Sequence, residues 1–287
     1  METFELKYFV AVARRENIQR AALDLAVSPG SLSKAVARLE LELGVNLFER
    51  VGRNIRLTKE GHLLLARAAE ILHLEEATKT DLQGSKSGLQ IRIAAPEILL
   101  AKVATDLVLQ IQKEYPLARF AFTAATEAET ERMVRAREAH LGITTSTVGA
   151  GLTKKRLFEA HFQTVVGKGH PLYKAGKAGR SIEVAQVLSY PFVAPTKPIL
   201  GLVGKGQSPD GWRDDKFPRR IGFVANSLQL LQELVMKGIA VAYLPDYCAE
   251  SFEVAALNIP DCPYLCRQIV HLVALDPESA SWSRRLF

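Results

Sequence analysis

Two consecutive helix starts near the N-terminus constrain the fold of this chain most strongly. Asn17 and Ser28 are favoured N-cap residues, and each precedes a segment with apolar residues at helical spacing. Pro29 then takes the first helical position, where its missing N–H is not needed. The second helix has an apolar face of Leu32, Val36 and Leu39. Two helices joined by a tight turn predict a helix-turn-helix, whose second helix presents its first residues to base edges in the DNA major groove.

The residues that follow predict a small basic hairpin. Gly44 fits the end of the second helix, and the run LFERVGRNIRLT indicates a strand, a turn around Gly52 and a second strand. With a first helix predicted from Phe4 to Arg14, this gives a winged helix-turn-helix over residues 1–58. The predicted DNA-binding residues are Ser28, Pro29, Gly30, Ser31, Ser33, Lys34, Arg38, Arg50, Arg53 and Arg56.

The composition agrees with a nucleic-acid partner and with a cytoplasmic protein. The formal net charge is +6 and the isoelectric point is about 9.2, which favours binding to phosphate backbones but is a weak signal alone. No apolar run approaches the ~18–20 residues that span a bilayer, so no membrane partner is expected. The start METFELKYFV lacks the basic character of an export signal, and three cysteines fit a reducing compartment.

The run ENIQRAALDLAVSPGSLSKAVARLELELGVNLFERVGRNIRLTKEG resembles the DNA-binding domain of LysR-type transcriptional regulators. The matching features are Ala21-Ala22, Leu32-Ser33, Arg38-Leu39-Glu40, Leu43-Gly44, Leu47-Phe48-Glu49-Arg50 and Leu57-Thr58. The family usually has Gln-Pro after the capping serine, whereas this chain has Pro29-Gly30. A glutamine that reads adenine is therefore absent, and the family's usual base preference is not carried over.

The resemblance extends over essentially the whole chain and implies the rest of the architecture. GKGHPL and MKGIAVAYLPDY match the family's C-terminal domain, an α/β periplasmic-binding-protein-like effector domain in which two subdomains flank a cleft. Residues 89–287 are assigned to that domain because strands and helices alternate there, which favours mostly parallel sheets. The resemblance also implies dimers, commonly dimers of dimers, and RNA polymerase is a further candidate partner.

A long helix and a hinge are predicted over residues 59–88, between the two domains. Leu65, Ala68, Leu72 and Leu82 fall near a three-four spacing, and glycines and serines follow from Gly84. One interpretation is a helix packed on its own domain. Because a linker helix has little in its own chain to cover such a stripe, we favour pairing with a second copy, and therefore a dimer that reads paired half-sites.

Candidate ligand-binding residues follow from the strand ends of the α/β domain. Ligands of open α/β sheets bind outside the carboxyl ends of strands, near helix N-termini. This rule selects Ala95, Pro96, Glu97, Thr126, Glu127, Thr144, Thr145, Val193, Ala194, Asn226 and Ser227. Each of them also fits a plain cap or turn position, so we expect about half of the set to contact a ligand. A carboxylate at Glu97 would repel an anion, which predicts a neutral or cationic effector unless Glu97 faces solvent.

Other classes of protein receive less support from the sequence. A solute-binding module without regulatory DNA function would share the cleft, but the winged helix argues against it. An enzyme would need an acid-base or nucleophile set, and no nucleophile elbow, P-loop or histidine pair with metal-ligand spacing is present. We therefore expect no catalytic residue, no metal and no cofactor other than a small-molecule effector. Cys262 and Cys266 are expected on one strand as reduced thiols, and the loop through SPDGWRDDKFP is expected at the surface without a packing face.

Overall fold

The computed structural model describes residues 1–52, 54–84, 88–145, 149–199, 201, 204–251, 253–262 and 266–287. The chain forms two compact units. The N-terminal unit contains Met1–Leu89 together with Pro277–Leu286, and the α/β unit contains Gln90–Asp276. Among the described residues, no helix is long and apolar enough to cross a membrane.

The N-terminal unit begins with three helices and a two-stranded hairpin. These elements are α1 (Thr3–Arg15), α2 (Ile18–Asp24), α3 (Pro29–Leu43), β1 (Phe48–Val51) and β2 (Asn54–Leu57). The strands β1 and β2 pair antiparallel. Leu6, Phe9 and Leu39 form one buried core, and Ala21, Ala22 and Leu32 lie in a second. The winged helix-turn-helix predicted from the sequence is therefore present.

Local capping explains where these helices start and stop. The side chain of Asn17 accepts the backbone N–H of Arg20 at 2.9 Å, and Ser28 Oγ accepts that of Ser31 at 3.1 Å. Gly44 ends α3 with a φ of 67°, a left-handed conformation that costs glycine little. Cap residues act on their immediate neighbours, which is why the sequence alone places these starts correctly.

Both halves of the fourth helix, α4 (Lys59–Gln83), contact other segments of the N-terminal unit. Its first half packs on the winged-helix core, where Ala68 is buried and Leu65 and Leu72 pack against the same cluster. Its second half is joined by a 3₁₀ turn (Pro277–Ser279) and α11 (Ser281–Arg284). The expected domain of 89–287 therefore differs from the structure at its end, because residues 277–286 belong with α4 rather than with the α/β unit.

Two hydrogen bonds hold this returning segment to α4. His73 Nε2 lies 2.8 Å from Ser279 Oγ, and Asp81 Oδ1 accepts the backbone N–H of Ser281 at 3.2 Å. The second bond gives an acceptor to the backbone N–H of Ser281 at the start of α11, whose N-cap residue Ala280 makes no side-chain capping bond. His73, Ala77 and Asp81 recur every four residues, so they lie on one face of α4.

The α/β unit contains the remaining strands and helices. Its strands are β3 (Gln90–Ala95), β4 (Arg119–Ala124), β5 (Leu141–Thr144), β6 (Thr153–Gly167), β7 (Phe192–Pro195), β8 (Ile221–Ala225), β9 (Ala242–Pro245), β10 (Val254–Ala256) and β11 (Arg267–Ala274). Its helices are α5 (Glu97–Gln112), α6 (Glu127–Arg135), α7 (Tyr173–Lys177), α8 (Val184–Leu188), α9 (Leu228–Met236) and α10 (Asp246–Ser251). The main sheet has the order β10-β6-β11-β5-β3-β4 with β9 paired to β6, while β7 and β8 form a second, parallel pair.

The prediction of mostly parallel sheets was wrong. The strands β3, β4 and β5 pair in parallel, but β6 runs antiparallel to β9, β10 and β11. The first part of the 15-residue strand β6 pairs with β11, and its last part pairs with β9 and β10. Long β6 thus connects the first half of the unit, around β3 to β5, with the second half, around β7 to β9.

The loop through SPDGWRDDKFP also differs from the expectation of an unpacked surface loop. Trp212 is only 2% exposed, and the guanidinium carbon of Arg219 lies 5.2 Å from the ring centroids of both Trp212 and Phe192. Arg219 Nη1 donates to Asp210 at 2.6 Å and Nε donates to Asp214 at 2.9 Å. The segment therefore packs through buried Trp212 and through Arg219, whose charge is balanced by two carboxylates.

Cys262 and Cys266 lie outside the strands, so the expectation that both sit on one strand was also wrong. Residues 263–265 between them are outside the described residues. Cys248, Cys262 and Cys266 carry thiols rather than disulfides. Burial raises the pKa of Cys248 to about 12, which disfavours the reactive thiolate.

Candidate nucleic-acid interface and effector cavity

The first turn of α3 is exposed to solvent and accessible to a binding partner. Its predicted contact residues Ser28, Pro29, Gly30, Ser31, Ser33 and Lys34 are all solvent-exposed. A Cβ added at Gly30 would meet only Ser28 Oγ, at 3.9 Å, so the space beside Gly30 is open. Ser28 Oγ and Ser31 Oγ lie 2.8 Å apart, which ties both hydroxyls to the cap. Ser33 and Lys34 therefore present the more available donors.

The wing places further basic side chains next to this helix. Arg50 on β1 and Arg56 on β2 are exposed, and Gly52 makes the turn with a φ of 64°. Glu40 on α3 fixes the start of the wing because its Oε1 accepts the N–H groups of Leu47 and Phe48 at 2.8 and 3.1 Å. Arg53, also predicted to bind DNA, lies outside the described residues.

Arg38 is exposed like the other predicted DNA-binding residues, but it has an acidic neighbour. Its Nε lies 3.0 Å from Glu5 Oε1, and the Glu5 side chain is 0% exposed. The sequence did not indicate this partner, since a glutamate at helical spacing among apolar residues looks like an ordinary polar position on α1.

The second candidate site is a cavity of about 330 Å³ in the α/β unit, called the cleft cavity below. Its wall comes from the ends of β4, β7 and β8 and from the starts of three helices, α5, α6 and α9. It is lined by Pro96, Glu97, Ile98, Ala124, Ala125, Thr126, Glu129, Pro195, Thr196, Lys197, Pro198, Ile199, Ala225, Asn226, Ser227, Leu228 and Leu231. Three helix N-termini at one cavity favour a polar or anionic group of a ligand there.

The strand-end rule found five of these lining residues. Pro96, Glu97, Thr126, Asn226 and Ser227 line the cleft cavity, and Thr126 and Ser227 also cap α6 and α9. The other predicted residues, Ala95, Glu127, Thr144, Thr145, Val193 and Ala194, do not line it. Ala95, Thr144, Val193 and Ala194 are buried because strand residues this close to the sheet face the core.

Glu127 and Thr145 are occupied with each other instead of facing the cavity. Glu127 Oε1 accepts the N–H of Thr145 at 2.9 Å and its hydroxyl at 2.5 Å. The same oxygen accepts the N–H of Gly201 at 3.0 Å, so Glu127 joins the first half of the unit to the loop after β7. Glu127 therefore links the two halves of the unit, while its bonds with Thr145 lie within the first half.

The sequence analysis missed the charged residues Lys197 and Glu129 of the cavity wall. Lys197 follows β7 by two residues, so the strand-end rule applied over a slightly wider window would have found it. Hydrogen bonds from the backbone N–H and hydroxyl of Thr126 lower the pKa of Glu129, and the positive charge of Lys197 lowers it further. Glu97, Glu129 and Lys197 are exposed, so the wall carries both signs of charge.

Within the part of the chain that the structure describes, no group of three or more His, Cys, Asp or Glu side chains could hold a metal ion. The titratable groups of the cleft cavity are the two glutamates and the lysine on its wall.

A winged helix with an exposed second helix, joined in one chain to an α/β unit with a cleft, defines a DNA-binding regulator with a substrate-binding-type domain. Residues 4–62 match the bacterial regulatory helix-turn-helix proteins of the lysR family, and residues 84–276 match the LysR substrate binding domain. These matches cover most of the chain, which therefore belongs to the LysR family of transcription regulators. The predicted family and fold class are confirmed, and the alternative of a solute-binding module without DNA function is wrong.

Individual relatives agree with this assignment. The chain is 27% identical to the transcriptional dual regulator GltC of Bacillus subtilis over 250 residues, covering 86% of this chain and 81% of GltC. It is 28% identical to the regulator CrgA of Neisseria meningitidis serogroup C, covering 86% and 80%. A full-length OxyR variant of Pseudomonas aeruginosa has a similar fold, with a TM-score of 0.67 at 22% identity over 100% of this chain and 92% of OxyR. CbnR complexed with its target DNA matches with a TM-score of 0.60 at 21% identity over 99% and 97%.

Proposed function

We propose that this regulator reads an operator with the first turn of α3 and the wing, and that a small molecule in the cleft cavity controls this binding. The proposal for DNA binding rests on the open space around Gly30 at the exposed start of α3. A helix end without side-chain bulk approaches a groove floor closely, while Ser33 and Lys34 offer donors to base edges. Exposed Arg50 and Arg56 then meet phosphates beside the groove.

Gly30→Ala tests the close approach. The added Cβ meets no atom of the free protein closer than 3.9 Å, and alanine is the better helix former, so the variant is expected to be more stable by about 0.5–1 kcal/mol. A groove contact predicts the opposite effect on DNA: weaker operator binding despite greater stability. Footprinting upstream of the protein's own gene at two salt concentrations supplies the operator. Unchanged operator affinity would place Gly30 away from DNA.

Matched variants separate base reading from phosphate binding. Lys34→Ala is expected to lose discrimination between operator and unrelated DNA, since a good base contact contributes on the order of 1–3 kcal/mol. Arg56→Ala is expected to weaken binding to all DNA and to reduce the slope of log affinity against log salt by about one. The reverse pattern would mean that the roles of helix and wing are exchanged. We make the same proposal for Arg53, by its place in the sequence between Gly52 and Asn54.

The proposed effector binds where the three helix N-termini meet. Lys197 and the N–H groups at the start of α5, which has no side-chain cap, attract an acidic group, whereas Glu97 disfavours a second one. We therefore infer an effector that is neutral overall or carries a positive group.

Filling the cleft cavity tests whether the effector binds there. Ala124→Phe fills the cavity from the exposed end of β4 and is expected to abolish the response to effector. Ala121→Phe on the same strand is expected to keep that response.

Calorimetry with a simple dicarboxylate such as succinate tests the sign of charge. The wild type is expected to bind it weakly, and Glu97→Gln is expected to bind it several-fold more tightly. Tight binding of succinate that Glu97→Ala leaves unchanged would remove the argument from Glu97.

The remaining parts of the proposal follow from family membership. The relatives named above are regulators, and we propose that this chain likewise acts without catalysis, metal or cofactor, in the cytoplasm. We propose a dimer, or a dimer of dimers, that occupies paired half-sites, with RNA polymerase as a further partner. Effector binding would shift the arrangement of the paired DNA-binding domains, which requires that the effector bind the two arrangements with different affinity.

A further inference from the structure

Glu5 is a carboxylate with an unusual position for a DNA-binding domain. Its side chain is 0% exposed, although it lies on α1 within the unit that contacts DNA. One oxygen, Oε2, accepts the backbone N–H of Glu2 at 2.8 Å as part of the capping box of α1. The capping box fixes the carboxylate, and its other oxygen, Oε1, is directed toward Arg38 on α3.

The charge of Glu5 needs a cation, because a buried carboxylate without one costs several kcal/mol. Arg38 Nε lies 3.0 Å from Oε1, and the Met1 ammonium lies 4.0 Å from Oε2. The contact with Arg38 is an ion pair rather than an aligned hydrogen bond, since Oε1 has no hydrogen-bond partner among the described residues. The Arg38 side chain is nevertheless 63% exposed.

The guanidinium of Arg38 has donors available for a second anion. Its Nε lies next to Glu5, and because the side chain is 63% exposed, we infer that the two Nη groups are accessible from solvent. A guanidinium presents five N–H donors in a rigid fork, and two Nη donors suit a phosphate. A lysine ammonium is a single point on a flexible stem and could not meet both anions in this way.

We propose that Glu5 is a positioning residue for the DNA interface, which holds Arg38 so that its Nη groups meet a backbone phosphate beside α3. The buried carboxylate removes rotamer freedom from a long exposed side chain before DNA arrives. Pre-ordering of this kind strengthens binding because less entropy is lost in the complex. Glu5 itself does not touch DNA.

Salt-dependent binding of the full-length protein to a 40-base-pair duplex of unrelated sequence tests the proposal. A phosphate contact does not depend on sequence, so no operator is needed. Arg38→Ala is expected to reduce the slope of log affinity against log salt by about 0.9, the loss of one phosphate. An unchanged slope in Arg38→Ala would overturn the proposal at its first step.

Glu5→Met then separates positioning from charge. Removing a negative charge should by itself tighten DNA binding, but the proposal predicts weaker binding and a slope reduced by up to one phosphate. Glu49→Met, which removes an exposed acid from β1, is the control and is expected to bind as tightly as wild type or more tightly. Equal tightening by Glu5→Met and Glu49→Met would show that Glu5 acts through charge alone.

Two further variants keep the test valid if Glu5→Met folds poorly, which thermal unfolding would reveal. Glu5→Gln keeps the shape of the side chain and one oxygen for the N–H of Glu2, but it removes the charge that holds Arg38, so it is expected to reduce the slope as Glu5→Met does. Arg38→Lys leaves the chain's charge unchanged and is expected to lose at least half of what Arg38→Ala loses. A wild-type slope in Arg38→Lys would mean that the guanidinium is not divided between Glu5 and a phosphate.

Discussion

At the scale of single residues, His170 shows how burial constrains a titratable side chain. Its residue is 5% exposed, and Nδ1 accepts the backbone N–H of Leu172 at 3.2 Å. Nε2 is buried without a hydrogen-bond partner in the described part of the chain, and the ring lies edge-on to Tyr190 at 4.5 Å. Burial lowers the pKa of His170 below its ordinary value of 6.5. A proton on Nδ1 would also end the bond from Leu172.

The stability of the α/β unit should therefore fall in acid. Below the ordinary pKa of 6.5 the unfolded chain binds a proton at His170 more readily than the folded chain does, so acid favours unfolding. We expect the free energy of unfolding, measured with urea, to decrease from pH 7 to pH 5 and this decrease to be smaller in His170→Gln. His62, which is exposed, provides the control His62→Gln with the full decrease. Equal decreases in both variants would contradict a role for His170.

Glu127 and Thr145 show what a strand-end rule does and does not predict. The rule placed both near the cleft, because strand ends of one edge meet whatever their side chains are. It could not predict that Glu127 would accept two bonds from Thr145 and one from Gly201, since Gly201 is 74 residues away in sequence. Which polar groups bond to each other depends on the packing of distant segments.

At the scale of elements, α4 has apolar residues on two faces. Leu65, Ala68 and Leu72 were expected to face a second copy, but they pack on the winged-helix core, which is the interpretation that the sequence analysis set aside. Leu82, the last residue of the predicted stripe, is 83% exposed, and the other exposed apolar residues of this helix are Leu63 at 65%, Ile71 at 40% and Leu74 at 62%. Periodicity could not separate the two sets because Leu63, Leu64 and Leu65 are consecutive.

The exposed set gives a prediction about self-association. Residues 63, 71, 74 and 82 recur at spacings of eight and three, which lie along one face of a helix. Covering a leucine contributes about 1.5–3 kcal/mol, so Leu74→Glu is expected to raise the dimer dissociation constant at least tenfold. Analytical ultracentrifugation measures this. Leu23→Glu on α2, where Leu23 is 81% exposed, is the control, and an equal effect of both variants would argue against pairing through α4.

The elements that the sequence predicted best are those set by neighbours along the chain. The first helix was expected from Phe4 to Arg14 and spans Thr3–Arg15, because caps and apolar spacing are local signals. Strand β11 was missed, although RQIVHLVA has strand-forming residues. It pairs with β5 and β6, and the paired residues lie more than 100 residues earlier in the sequence. No adjacent hairpin turn therefore marks this strand in the sequence.

At the scale of the whole molecule, the chain leaves the N-terminal unit after Leu89 and returns to it at Pro277. Asp81 caps the start of α11, and an N-cap replaced by alanine costs about 1 kcal/mol. We therefore expect Asp81→Ala to release the returning segment more often and to speed trypsin cleavage after Arg284 and Arg285 about fivefold, measured by mass spectrometry. Lys79→Ala on the exposed side of α4 should leave that rate unchanged, and equal rates in both variants would contradict the capping role.

The return at Pro277 also has a consequence during synthesis on the ribosome. The winged-helix core is complete once β2 and the first half of α4 have emerged, so it is free to fold early. Asp81 must wait for Ser281, which is translated 200 residues later. At a typical ~5–20 residues per second, the second half of α4 stays without its cover for roughly 10–40 seconds. A nascent chain is thus expected to expose a folded winged helix-turn-helix well before the packing of the second half of α4 is complete.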